Sequence, residues 1–421
     1  MNDDNIEFMT DMNDNHFNDV NRKPPAPHPP RPARMTTRMT VNGNVNITGN
    51  NTTAGMTDNT VNTQAKHEVH PFQTIFSVIA DVFIILAIIV GCYFFWLQFW
   101  TGVESEQTQT NQSSSMNWNT ADTTKIAEKQ TGEPPIQPES VNYADMLGEL
   151  YVPRFGKDWK RNVVEGTDWE QLGRHGIGHY QGSALPGQIG LFAVAGHVNG
   201  YGQPLGELDK LQNGDYVIMR TKDYWYVYKQ YDQKIINKEQ SEAIADVPFQ
   251  PTAQPTERLM ALTTCWPKYY MGPGETPQRR VSYAKFAYWA KVSDGIPQEL
   301  ADDTDAVNTS FTSTVTTGMA NNLPDMKTIN RNLIIIYAIL FMAALAGWQF
   351  RGLKTWKHAY DENKTLFSFT GWIYRLQPGT KPVQIILMAL FALIIITAII
   401  GYACPWVAEN IPALRVNAAM G

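Results

Sequence analysis

Cysteine is scarce in this chain, with three in 421 residues, at positions 92, 265 and 404. Cys92 falls in a long, almost uncharged run and Cys404 at the end of another. The polar region between them therefore holds Cys265 alone and cannot close an internal disulfide. A concentrated basic field is also missing. Net charge is −6, and nothing supports nucleic-acid binding. No acidic cluster has calcium-loop spacing and no metal-ligand set is present, so neither a metal nor a cofactor is implied. Internal repeats are absent. Amphipathic helical periodicity is scarce between the runs, where 203–212 offers one short turn.

What is present begins with three apolar blocks, hidden by a mean hydropathy of −0.30. They run over 75–96, 333–350 and 383–403, each near the ~20 residues a helix needs to cross a bilayer. The third carries no charge. The first carries Asp81 about two turns in, tolerable near an interface and costly at mid-membrane. The first block follows a long polar stretch, so it reads as an uncleaved anchor rather than a signal peptide. The loop between blocks two and three holds Arg351, Lys354, Lys357, Lys364, Arg375 and Lys381 against Asp361 and Glu362. Short basic loops stay in the cytoplasm. The N-terminal tail is then also inside, and the region between blocks one and two lies outside.

A disordered cytoplasmic tail is expected over 1–70, Pro-rich over 24–32 and Asn/Thr-rich over 42–63. A membrane helix covers 72–100 and an extracellular linker 101–140, polar enough over 107–137 to serve as a stalk. A domain covers 141–295, entered through a short helix over 141–151. A second linker (296–330), a membrane helix (332–350), the basic cytoplasmic loop (351–382), a third membrane helix (383–405) and a short extracellular tail (406–421) complete the chain. Within the domain, strand-like runs recur over 190–195, 216–219, 224–228, 258–264 and 281–292. Asn213-Gly214 is a turn signal before the second of them. These runs predict an all-β domain, a closed or nearly closed barrel of ~150 residues.

Cys265 ends the run Leu259-Met260-Ala261-Leu262-Thr263-Thr264-Cys265. His197 ends an earlier strand, Ala193-Val194-Ala195-Gly196-His197, and Arg279 and Arg280 enter a later one. A thiolate is a nucleophile, and a nearby histidine can take the thiol proton and return it to a leaving amine. A fixed guanidinium can receive the charge that develops on a carbonyl oxygen. Taken singly, a lone cysteine reads as a small buried hydrophobe and a lone histidine as a satisfied loop residue. Tyr201 reads either as an ordinary loop aromatic or as a wall of a substrate groove, and His175 and His179 as surface or lid residues.

Together these segments resemble the sortases, the bacterial cysteine transpeptidases. Ala261-Leu262-Thr263-Thr264-Cys265 matches the family's Thr-Leu-x-Thr-Cys element, except that Ala261 replaces its first Thr. The resemblance covers roughly 151–293 and is strongest to the actinobacterial class E type. Gly178-His179-Tyr180-Gln181-Gly182-Ser183-Ala184-Leu185-Pro186-Gly187 is similar to that group's segment before the histidine. Tyr201-Gly202-Gln203-Pro204-Leu205 and Cys265-Trp266-Pro267-Lys268-Tyr269 match two further stretches. Val198-Asn199 departs from a common Arg-Thr pair. The 271–277 stretch lengthens the loop between cysteine and arginine and is expected to shape a substrate wall. The C-terminal pair of spans is also an addition.

The resemblance implies a sortase-like eight-stranded β-barrel, here flanked by the three transmembrane helices that the apolar blocks predict, with His197, Cys265 and Arg279 catalytic and Tyr201, Thr264 and Arg280 binding substrate. Successive side chains on a strand face opposite ways, so both arginines cannot enter the site without a bulge. The +5 position from Arg279 is Ala284, as in the family, which favours Arg279. The implied reaction cleaves Thr-Gly in a Leu-x-x-Thr-Gly sorting signal, of the Leu-Ala or Leu-Pro type. It then joins the Thr to an amine of lipid II or the peptidoglycan cross-bridge. The implied partners are surface proteins carrying such signals, and membrane lipid. A pilin-polymerising sortase using a pilin lysine is the alternative in the same chemistry, although its Asp-Pro-Trp-like lid motif is absent. A papain-like protease would place cysteine before histidine. A non-catalytic surface domain would have no need for all three residues.

Overall fold

The computed structural model of the chain describes residues 71–270, 276–301, 311–351, 369–411 and 414. The chain divides into two units, Met1–Lys66 and His67–Gly421, of which the second is described below. The expected disordered tail lies outside the described residues, as do 302–310 of the second linker, 352–368 of the basic loop and most of the final tail.

Eight strands follow in order: β1 Met146–Tyr151, β2 Lys160–Glu165, β3 Ile177–His179, β4 Gly190–Gly196, β5 Tyr216–Arg220, β6 Tyr224–Asn237, β7 Arg258–Trp266 and β8 Gln278–Lys291. They close a barrel in the order β1-β2-β3-β4-β7-β8-β6-β5. The pairs β2–β3 and β4–β7 are parallel and the rest antiparallel. The expected all-β barrel is thus present. The chain turns into β5 at Gly214, whose φ of +100° suits glycine. The helix expected over 141–151 is instead β1, because Leu147 and Leu150 join the barrel core while the chain pairs with β2 and β5.

Alternation sorts β7 into two faces. Met260 and Leu262 join Phe192, Val194, Tyr226 and Tyr228 in the barrel interior. Leu259 and Ala261 join Leu191, Ala193, Val281 and Tyr283 in a cluster on the outer face, roofed by Ala243, Ile244 and Phe249. Each large apolar side chain buried this way contributes roughly 1.5–3 kcal/mol. Both faces of β4, β7 and β8 are therefore packed. That fixes their register, because a one-residue slip would exchange the two sets.

Three helices are long and apolar enough to cross a membrane, spanning Ile75–Ser115, Met326–Trp348 and Lys381–Asn410. The first comprises α1 (Pro71–Phe95), a π-helical turn (Trp96–Trp100) and α2 (Thr101–Ser115). At 1.5 Å per residue its 41 residues run about 60 Å, twice the hydrocarbon thickness of a bilayer. The polar upper part continues as helix where a stalk was expected. It shows no apolar stripe, and tertiary hydrogen bonds hold it instead. Gln109 Oε1 accepts from the Asn162 backbone N–H (2.9 Å), and Ser113 Oγ donates to Asn162 Oδ1 (2.9 Å). Beyond it the chain is tied along the barrel by single bridges, Ile126 to Ile296 and Gln130 to Trp289.

The remaining helices are α3 (Trp169–His175), α4 (Gln298–Ala301), α5 (Phe311–Asn322), α6 (Met326–Arg351), α7 (Phe369–Arg375), α8 (Lys381–Ala398) and α9 (Cys404–Asn410). Asn330 on α6 donates to Ile394 O and Thr397 Oγ1 on α8, both at 2.8 Å. The later spans meet the first at one end, where Cys92, Trp96 and Trp100 cluster with Met326, Ile400 and Cys404. Tyr201 of the barrel belongs to the same cluster, so the site-bearing end of the barrel rests on the helix bundle.

Candidate active site

Three adjacent strands carry the candidate residues. On β7 and β8, Cys265 and Arg279 are direct register partners. On β4 and β7, Ala195 pairs with Thr263, the last pair of a parallel ladder. His197 and Cys265 lie two residues beyond on their respective chains, which preserves the face. Neighbouring strands stand about 4.8 Å apart, so His197, Cys265 and Arg279 form one row with the thiol in the middle.

Packing covers the row. Cys265 and His197 are each 1% exposed and Arg279 is 9% exposed. Cys265 packs with Leu172 of α3, Ala195, Val198 and Tyr180. Arg279 Nη1 donates to the backbone oxygens of Thr276 (2.7 Å) and Gln278 (3.1 Å), which pins the guanidinium at the start of β8. Burial pushes His197 down to about 4, so the ring is neutral at physiological pH. Neither of its ring nitrogens has a hydrogen-bond partner among the described residues.

The three other predicted site residues are placed differently. Tyr201 stacks on His197, with ring centroids 4.8 Å apart. Thr264 points to the opposite face from Cys265, where its buried Oγ1 donates to Gly196 O at 2.7 Å and ties β7 to β4. Arg280 shares that opposite face. It lies 4.0 Å from the centroid of the Trp266 ring and donates to Gln233 Oε1 at 2.6 Å. The strand thus sends the two arginines to opposite sides with no bulge between them. Most of the expected loop wall, 271–275, lies outside the described residues.

Sequence reasoning missed two features. Tyr180 sits against Cys265, and its hydroxyl is pushed up to about 12, mainly by burial. Arg279 opposes that shift and Cys265 adds to it. Alternation from an inward His179 would have found Tyr180. His179, however, was expected at the surface and is 1% exposed. Its Nδ1 lies 2.6 Å from Glu165 Oε2, and its Nε2 lies 2.8 Å from Ser183 Oγ and 3.1 Å from Ala184 O. The cause is the parallel β2–β3 register, which pairs Glu165 with His179. His175 is half-buried at the end of α3.

The sortase domain family model matches residues 150–287. Sortase SrtE2 of Streptomyces coelicolor is 26% identical over 199 residues, 46% of this chain and 76% of that protein. Among solved structures, the SrtA sortase from Actinomyces oris is 37% identical over 43% of this chain and 100% of that one, with a TM-score of 0.38. Sortase E from Streptomyces avermitilis is 32% identical over 38% of this chain and 99% of that one, with a TM-score of 0.34.

Proposed function

The chain belongs to the sortase family of cysteine transpeptidases, and from that footing we propose that it is membrane-anchored and transfers surface proteins to the cell wall. The observation that carries the reading is the row of His197, Cys265 and Arg279 on three adjacent strands. Neutral His197 takes the thiol proton, and the Cys265 sulfur attacks the Thr carbonyl of a Leu-x-x-Thr-Gly signal. Arg279 stabilises the oxyanion. The C–N bond to Gly breaks as His197 hands its proton to the leaving amine, which leaves a thioester on Cys265. An acceptor amine, in this reading that of lipid II, then attacks the thioester. It gives a proton to His197, which returns it to the sulfur as the C–S bond breaks.

The class E resemblance leans the proposal toward a Leu-Ala-x-Thr-Gly signal over Leu-Pro-x-Thr-Gly. The proposed topology puts the barrel outside and the basic 351–382 loop inside, following the Lys/Arg placement. The test uses the full-length protein with both peptides and an amine acceptor. Thr-Gly cleavage with amine-dependent product supports the reading, and hydrolysis or transfer at no peptide bond rejects it. A tag at Gly421 is expected to be labelled from outside intact cells, and a cytoplasmic tag rejects the topology.

A further inference from the structure

A general acid and base needs a fixed ring, and fixing commonly comes from a hydrogen bond to the second nitrogen. His197 has no such bond among the described residues. What touches its ring is Tyr201, at 4.8 Å and an interplanar angle of 36°. The loop that bears Tyr201 is conformationally costly. Gly200, Tyr201, Gly202 and Gln203 all have positive φ, at +67°, +50°, +77° and +48°. Two of these are not glycine, and such a backbone persists only where its surroundings hold it.

The surroundings are the helix that rises from the first membrane span. The Tyr201 backbone N–H donates to Thr101 Oγ1 at 2.9 Å, and that hydroxyl donates to Leu97 O at 2.8 Å. The two backbones approach so closely that a Cβ on Gly102 would stand 3.3 Å from the Gly202 Cα. The Tyr201 ring is 2% exposed and is gripped edge-on by Trp96 of the π-turn at 6.3 Å and by Trp169 of α3 at 6.2 Å. The contacts form a chain from the membrane helix to Tyr201 to His197.

We propose that Trp96 and Thr101, on the helix leaving the membrane, are positioning residues of the active site, holding His197 in line with Cys265 through Tyr201. The proposal rests on the transpeptidase reading for the roles of His197 and Cys265. On this account the membrane anchor is part of the catalytic apparatus and not only a tether.

The test uses the full-length chain in lipid nanodiscs, with Trp96→Ala, Trp96→Phe and Thr101→Val. Trp372→Ala on α7 serves as a control at an exposed tryptophan. Two quantities are read. One is kcat and KM for transpeptidation of a Leu-Ala-x-Thr-Gly peptide. The other is the pH dependence of Cys265 alkylation by iodoacetamide, mapped by peptide mass spectrometry. Trp96→Ala is expected to lower kcat about tenfold with KM nearly unchanged, while Trp96→Phe restores most of the rate. The alkylation midpoint is expected to move by about half a pH unit. Wild-type kcat in Trp96→Ala overturns the proposal. So does an alkylation rate scaled by one factor at every pH, since that reports access and not alignment. Should Trp96→Ala fail to fold, Thr101→Val removes only the hydroxyl and carries the same expectations. If the wild type turns over no peptide, the transpeptidase reading fails, while the alkylation midpoints still decide this one.

Discussion

Cys265 and Arg279 face each other as direct partners across the antiparallel pair β7–β8, while the next residue along each strand turns the opposite way. Thr264 and Arg280 therefore form a second pair on the opposite face of the same two strands. The guanidinium of Arg279 is held by backbone oxygens, so the oxyanion role proposed for it would need little reorganisation.

Arg279→Ala is expected to lower transpeptidation by roughly 10²–10³-fold, the usual loss for one oxyanion donor. Arg280→Ala removes a surface of Trp266 and a bond to Gln233, and is expected to cost stability more than rate. Side-by-side kinetics and melting curves separate the two. Equal rates for Arg279→Ala and wild type reject the assignment.

His197 links folding to pH. Its folded-state value of about 4 lies below the ordinary 6.5, so the unfolded chain binds the proton more readily between them. The stability from burying a neutral ring is complete above pH 6.5 and is lost as pH falls toward 4. It amounts to roughly 3 kcal/mol in all. His197→Gln is expected to flatten that part of the curve. Parallel wild-type and variant melting curves across pH 4 to 7 would contradict the burial argument.

The Glu165–His179 pair is buried and close, and its loss strands a polar partner. His179→Ala is expected to destabilise the barrel by roughly 3–5 kcal/mol. It also removes the ring nitrogen that lies 2.8 Å from Ser183 Oγ. Denaturant unfolding measures this, and a change near zero would show that water replaces the contact.

Asp168 caps α3, its Oδ1 accepting from the backbone N–H of Glu170 at 2.9 Å. Asp168→Ala is expected to cost about 1 kcal/mol. It also loosens Trp169, one of the two indoles on Tyr201. A chemical-denaturation midpoint unchanged from wild type would argue that the cap is redundant.

The legible parts of this chain were those whose signal is local. Dense β-formers such as Tyr224 to Tyr228 marked strands, and uncharged runs marked spans. The segment around Cys265 carried both a strand and the motif of the resemblance; alternation showed that Arg279 and Arg280 face opposite ways, and the +5 pattern of the resemblance favoured Arg279. The parts that were not legible depend on partners distant in sequence. Helix α2 reads as linker because the side chains of Gln109, Gln112 and Ser113 find their bonds on Asn162, in another element. His179 reads as surface because Glu165 reaches it only through a parallel pairing of β2 with β3. The Trp96–Tyr201 contact joins residues more than a hundred positions apart, and no periodicity announces it.

A covalent bond at Cys265 is what the proposed transpeptidation most directly requires. Full-length protein incubated with a Leu-Ala-x-Thr-Gly peptide and no amine is expected to accumulate a thioacyl adduct whose mass equals the peptide fragment up to Thr. The adduct should map to Cys265, discharge when an amine is added, and be absent in Cys265→Ala. A folded wild-type protein that forms no adduct with either this peptide or its Leu-Pro-x-Thr-Gly counterpart would contradict it.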